Sequence, residues 1–506
     1  MSLTTLFDAA GIDPNELKKK VAQARQDQAE SVRNEAQDAA SETSNAGQEP
    51  GGKKGGEAAG SRMDAEAASC EKSLPPIDLA SSAAIDAAAG QKRRLIAEIN
   101  ELERQRRWED ILALAYPLEE KYPLLADMEM DIEISRKLGF ALVRANRHHE
   151  AVTLFETLAK KMPHDFMVVY SAGYAAYDAL YCHKNRQLTL SPQEKKRLIQ
   201  AAHRYFEQAA RLRPDSVTLF YRRGMLFKDI EGKAKKAIPY FEKAIAHWNG
   251  LSEAEREGRH QERPKYIRSM YHLASCLLKE SLASKALALL EKMVAEDEAT
   301  GFVSTLFKEF ALGKTLYRLG RFKEALEHLE VAAAAAENGR VPDFVHELAA
   351  GCLLMMDRPK EALRKIDKIP LKAMRPYVCW RRADILVAMG RKSEALLTLE
   401  SGLERDRISK HKTLMRMARI HYGQGAYSKA LTCAKKADLF YQQRFGNRLS
   451  DALFMEALCL HATGDHQQAL KRLQALRQDG FSAPGFGKAL RLVQQAVTEH
   501  AAGSSN

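Results

Sequence analysis

A short phrase returns along this chain: a small or turn-forming residue, any residue, an aromatic or small residue, two more of any kind, then Ala-Leu. Gly320 to Leu326 carries it in full, with Phe322, Ala325 and Leu326 in the marked places. Gly390 to Leu396, Gly425 to Leu431, Gly464 to Leu470 and Asn146 to Val152 repeat it with small changes. Between the phrases, apolar residues recur with the period of an amphipathic helix and not with the alternation of a strand. A helical unit repeated in this way cannot bury its apolar face alone, so it must stack on its neighbours. The 506 residues fit one long array of such units.

Taking as anchor the small residue that opens the second helix of each unit gives positions 111, 151, 202, 237, 286, 325, 362, 395, 430 and 469. All are Ala except Ile111. Their intervals run from 33 to 51 residues, so some units carry longer loops or helices. The phrase resembles the tetratricopeptide repeat, a helix-turn-helix unit of about 34 residues. The fullest match is Leu138, Gly139, Ala151, Phe155 and Pro163; Ala202, Phe206, Ala209 and Pro214 follow, then Ala237, Phe241 and Ala244. The resemblance implies an all-α, right-handed superhelical solenoid of about ten helical hairpins over residues 91–482, with a C-terminal capping helix and tail over 483–506. Two polar stretches, about Cys182 to Lys196 and Asn249 to Pro264, read as insertions projecting from one edge.

Ahead of the array, residues 1–90 hold nine Lys and Arg against fifteen Asp and Glu, net −6. The rest holds 69 against 51, net +18. A polar helix is expected from about Pro14 to Ala40, with Asp13 as its cap. The Gly-, Ala- and Ser-rich stretch from Glu42 to about Gln91 lacks the apolar surface to offset ordering entropy and reads as a flexible linker. The seven cysteines are scattered and without metal-ligand spacing, which fits reduced packing residues. No long apolar run or secretory leader is seen, so a soluble, cytoplasmic protein is expected.

Catalytic motifs are absent. Gly313-Lys314-Thr315 ends like a phosphate-binding loop, but Lys308 stands where that loop needs Gly, and no strand precedes it. His148 and His149 are adjacent in a turn, where side chains point apart, so neither a metal nor a cofactor is expected from them. What remains is the inner wall that the resemblance assigns to the first helix of each hairpin. Its residues are Arg136, Phe140 and Arg144; Tyr170, Tyr174 and Tyr177; Tyr221 and Lys228; Arg268 and Tyr271; Phe310, Lys314, Tyr317 and Arg318; Trp380; and Lys412, Arg419 and Tyr422. Aromatic rings supply contact area at low entropic cost, and Arg or Lys between them can hold carboxylates. The expectation is a non-enzymatic scaffold or adaptor whose basic, aromatic groove binds an acidic protein segment. The alternative is an RNA- or nucleic-acid-associated factor, since interleaved Arg and Tyr also suit single-stranded bases. The family's carboxylate clamp, a Lys and an Asn four residues apart, is not supported, because Arg136 and Phe140 stand in those places.

Overall fold

The computed structural model describes residues 79–127, 131–370 and 373–503. The expected N-terminal helix, and the linker up to residue 78, lie outside the described residues. Among the described residues every regular element is helical and no strand occurs. The described residues form two compact units, one ending at Glu280 and the other beginning at Ser281.

The first unit opens with α1 (Leu79–Arg104), α2 (Trp108–Ala115) and the short α3 (Leu118–Lys121) and α4 (Pro123–Asp127). Three hairpins follow: α5 (Ile132–Arg144) with α6 (His148–Lys161), α7 (Phe166–Lys184) with α8 (Pro192–Leu212), and α9 (Val217–Met225) with α10 (Ala234–Asn249). A π-helical turn, Leu226–Ile230, prolongs α9, and α11 (Glu253–Gly258) and α12 (Arg263–Lys279) complete the unit. The second unit begins with α13 (Ala283–Glu296). Its hairpins are α14 (Thr305–Arg318) with α15 (Phe322–Ala334), α16 (Asp343–Met355) with α17 (Pro359–Ile366), α18 (Pro376–Ala388) with α19 (Lys392–Arg405), α20 (Lys410–Tyr422) with α21 (Tyr427–Phe445), and α22 (Ser450–Ala462) with α23 (His466–Gln478). It closes with α24 (Phe486–Gly503).

The anchors explain why these helices pair. All ten, from Ile111 to Ala469, lie in second helices and are 0% exposed. Small side chains there let two helices cross closely. In the first unit the first helix gives way as well. A Cβ on Gly139 would lie 2.4 Å from Phe155, one on Gly173 2.6 Å from Phe206, and one on Gly224 2.5 Å from Phe241. The spacing of Gly, Ala and Phe in the sequence is therefore one steric device: the glycine makes the socket that the following helix fills with a ring. The intervening turn needs a left-handed residue, supplied by Asn146 (φ 61°) and Gly320 (φ 78°). An Arg just before each of several second helices grips the Glu three residues on, as in Arg147–Glu150, Arg321–Glu324, Arg358–Glu361 and Arg391–Glu394, holding each of these carboxyls below its ordinary range.

Three features differ from the sequence reading. The first helix starts at Leu79, inside the stretch read as linker. Its run from Ala83 to Ala89 is rich in the best helix former, and Ala88 is buried along with Leu95 and Ile99. The Cys182 to Lys196 stretch is no inserted loop: its ends belong to α7 and α8, and only a turn, residues 185–191, connects the two helices. Ser191 and Glu194 close that turn as a reciprocal cap. The Asn249 to Pro264 stretch does not project but folds back on the start of α9. Arg259 binds Asp215 at 2.5 Å, and Glu262 accepts from the Thr218 amide at 3.1 Å and from Ser216 Oγ at 3.2 Å. An otherwise unsatisfied amide at a helix start is met by a carboxylate. At the far end of the second unit, α24 lays Phe486, Leu490 and Val493 over Ala469, Leu473 and Leu476, covering the last hairpin's apolar face.

Candidate functional site

First helices of successive hairpins bring most of the expected residues into two aromatic and cationic sets, one per unit.

In the first unit, Tyr170, Tyr174 and Tyr177 lie on one face of α7 because they are spaced three and four residues apart. Their ring centroids follow at 6.4 and 6.5 Å, with Phe140 of α5 6.5 Å from Tyr174. The Arg222 guanidinium, from α9, stands 5.0, 5.6 and 5.5 Å from the centroids of Tyr174, Tyr177 and Tyr221. One step further, Lys265 of α12 stands 5.8 Å from Tyr221. Tyr170, Tyr174, Tyr177 and Tyr221 are 0–3% exposed, and Arg222 is 2% exposed. The sequence reading put these rings on an open wall; the structure puts them in a covered layer. Burial, reinforced by Asp178, raises the Tyr174 hydroxyl far above the ordinary tyrosine range, so it stays protonated and hydrogen-bonds Asp178 at 3.5 Å. Phe140 is also buried, while Arg136, Arg144, Arg268 and Tyr271 are half-buried. Arg144 lies over Trp108 at 5.7 Å, and Lys228 is paired with Asp229 at 3.0 Å.

In the second unit the same register reaches the surface. Lys314, Arg318, Lys412 and Arg419 are exposed, and Phe310, Tyr317, Trp380 and Tyr422 are half-buried. Phe310 packs edge-on against Phe344 at 4.5 Å, and Tyr422 against Tyr427 at 5.3 Å. Trp380 is the centre of the arrangement. Its indole nitrogen donates to Thr413 Oγ1 at 2.8 Å, while Lys412 and Arg416 stand over its ring at 5.7 and 4.9 Å. The hydrogen bond fixes the orientation of the ring, and the two cations lie over it. Arg416 also pairs with Asp384 at 3.5 Å, whose carboxyl burial pushes up. Arg381 hydrogen-bonds Glu347 at 2.8 Å and reaches over Tyr317 at 5.8 Å. It can cross α16 because Gly351 lies beneath it: a Cβ there would be 2.9 Å from the guanidinium carbon.

Arg381, Arg416 and Thr413 escaped the sequence reading, although a signal for two of them exists. Glu347 and Arg381 are 34 residues apart and Trp380 and Thr413 are 33 apart, one repeat in each case. A search for complementary pairs at the repeat period finds such contacts between neighbouring first helices. Gly313-Lys314-Thr315 lies inside α14, with Thr315 donating to the Ala311 carbonyl at 2.8 Å, and forms no phosphate loop. His148 and His149 do point apart, one buried and one exposed, and the buried one meets Asp178 and Cys182.

Family profiles described as tetratricopeptide repeats match residues 216–312 and 451–479, and the hairpins there have the geometry given above. The chain carries tetratricopeptide repeats. No curated protein sequence matches it significantly. Among solved structures, it is similar to a tetratricopeptide repeat protein from Parabacteroides merdae, at 12% identity over 55% of this chain and 99% of that one, TM-score 0.41. It is also similar to YrrB, described as a tetratricopeptide repeat protein with an unusual peptide-binding site, at 17% identity over 47% and 97%, TM-score 0.30. A third is the human IFIT1 dimer with m7Gppp-AAAA, at 16% identity over 78% and 88%, TM-score 0.35. Proteins built on tetratricopeptide repeats generally mediate protein–protein interaction. No described helix of this one is long and apolar enough to cross a membrane.

Proposed function

We propose that this tetratricopeptide repeat protein is a non-enzymatic scaffold whose second-unit face around Trp380 binds an acidic segment of a partner protein. The observation that supports it is the indole held by Thr413 with Lys412 and Arg416 over its ring, and with Arg419, Lys314 and Arg318 exposed on the same kind of helix. A half-buried ring anchors a side chain of the ligand, and exposed cations take carboxylates on either side of it. The net charge of +18 beyond residue 90 favours encounter with an anionic partner. The chain's own residues 1–90, net −6, have the chemistry of such a ligand, so deleting residues 1–78, which leaves α1 whole, is expected to raise affinity for an external acidic peptide.

The test is fluorescence anisotropy with a labelled Glu- and Asp-rich peptide carrying one aromatic residue. Trp380→Ala and the double change Lys412→Glu, Arg419→Glu are expected to weaken binding about tenfold or more, and raised salt to weaken it for the unchanged protein. Unaltered binding by both variants overturns the site. Copurification of nucleic acid that high salt removes, with no binding of the peptide, replaces the reading with the nucleic-acid one.

A further inference from the structure

In two hairpins of the second unit the residue that opens the second helix is a ring packed against its own first helix. Phe322 meets Tyr317 at 5.4 Å, and Tyr427 meets Tyr422 at 5.3 Å. At the start of α6 that position is His148, and it faces the next hairpin instead. There α7 presents Asp178 and, one turn on, Cys182, a carboxylate and a thiol on a stretch otherwise made of Ala, Tyr and Leu. His148, Asp178 and Cys182 are 5%, 7% and 3% exposed. A ligand atom from each of the three lies within 4.8 Å of the other two.

From this juxtaposition we propose that His148 Nδ1, Asp178 Oδ2 and Cys182 Sγ form a zinc-type metal site that ties α6 to α7. The His148–Asp178 separation suits the ion, and Cys182 needs to move in by a few tenths of an ångström. Bonds of about 2.0 Å to nitrogen and oxygen and about 2.3 Å to sulfur, arranged tetrahedrally, put ligand atoms about 3.3 to 3.6 Å apart. Nδ1 and Oδ2 are 3.3 Å apart and Sγ and Oδ2 3.9 Å. His148 Nδ1 is buried yet makes no hydrogen bond among the described residues, despite the nearby carboxylate, so it is aimed into the cluster without being satisfied by it. The other carboxylate oxygen takes the long hydrogen bond from Tyr174, which holds the plane of the group, while Oδ2 takes a long one from the Cys182 thiol that the ion would replace. Imidazole, carboxylate and thiolate together are the mixture that selects zinc or a similar borderline ion over magnesium or calcium. A dication with one carboxylate and one thiolate is neutral overall, the condition under which charge is tolerated at this depth. On binding, the Cys182 thiol gives its proton to solvent and the sulfur takes the metal, while a water fills the fourth position.

The test uses the full chain, stripped with chelator and titrated with cobalt(II) and then zinc. Cobalt is expected to give a thiolate charge-transfer band saturating at one ion per chain, and zinc to abolish it. His148→Phe places at this position the residue that Phe322 provides elsewhere, so it keeps the fold; it should lose cobalt affinity by about tenfold or more, in the range seen when a metal ligand's support is removed. Cys182→Ala should lose the band. A stripped protein with no thiolate band, or a band equal in height and midpoint in both variants, overturns the site and leaves His148 as a packing ring. Circular dichroism of the two variants shows that any lost band reflects the ligands and not the helices.

Discussion

The two units use one helical register for opposite purposes. In the first, Tyr170, Tyr174, Tyr177 and Tyr221 enclose Arg222 and are covered; in the second, Trp380 stands half-open between Lys412 and Arg416. Each set pairs a cation from one first helix with a ring from an earlier one, so the geometry of attraction is shared. What differs is water. A guanidinium over rings inside a covered layer interacts at low effective dielectric and has given up its hydration, whereas the same pair at the surface is screened and keeps it. The first set therefore packs hairpins together, and the second stays in contact with solvent.

The largest expected effect separates the sets directly. Arg222→Ala empties the middle of the tyrosine layer and should destabilise the first unit by about 3 kcal/mol or more in a urea titration. Arg416→Ala, beside a half-exposed indole, should cost less than about 1 kcal/mol. Equal losses would mean that burial does not distinguish the two sets.

A smaller effect sharpens the contrast through glycine. Gly224→Ala drives a methyl to within 2.5 Å of the Phe241 ring, which is locked inside the hairpin, and should cost roughly 1–3 kcal/mol. Gly351→Ala meets only the tip of Arg381, a flexible side chain, so its cost should stay below about 1 kcal/mol while Arg381 is displaced from Tyr317. Thermal denaturation of the two variants measures both. If Gly351→Ala proves the more damaging, the surface arrangement of the second unit is stiffer than its exposure implies.

The smallest effect concerns acid. Burial, with Lys228 and Arg268 nearby, pushes the His272 imidazole down to about 3, and its ring lies 5.8 Å from Phe241 and 5.9 Å from Tyr221. The folded protein leaves this group neutral while the unfolded chain protonates it below about pH 6.5, so stability falls as pH drops from there towards 3. His272→Gln should flatten that fall for the first unit. A pH profile of the denaturation midpoint unchanged by the substitution would show that other groups govern acid sensitivity. In the second unit His346 and His411 are lowered in the same direction by burial, and the His272 variant should leave their contribution in place.

Features that depend on neighbours along the chain were settled locally. The period of apolar residues made the helices, Asn146 and Gly320 made the turns, and the anchors, nine Ala and Ile111, all fully buried, set the phase of the hairpins. These follow from local sterics, which a few adjacent residues fix completely. The wall residues were legible as a list for the same reason: phase tells which face a side chain is on. Phase does not tell what lies opposite that face, and there the tertiary structure decided. It covered Tyr174 and left Trp380 half-open, although both stand on first helices. It folded Glu262 back onto the start of α9 across 44 residues and ran Arg381 over Gly351 to reach Tyr317. It also turned His148 towards Asp178 and Cys182, a grouping that one repeat's pattern cannot contain because its members belong to two. Burial and coordination depend on groups converging from distant segments, and only the packing of one hairpin on the next sets those distances.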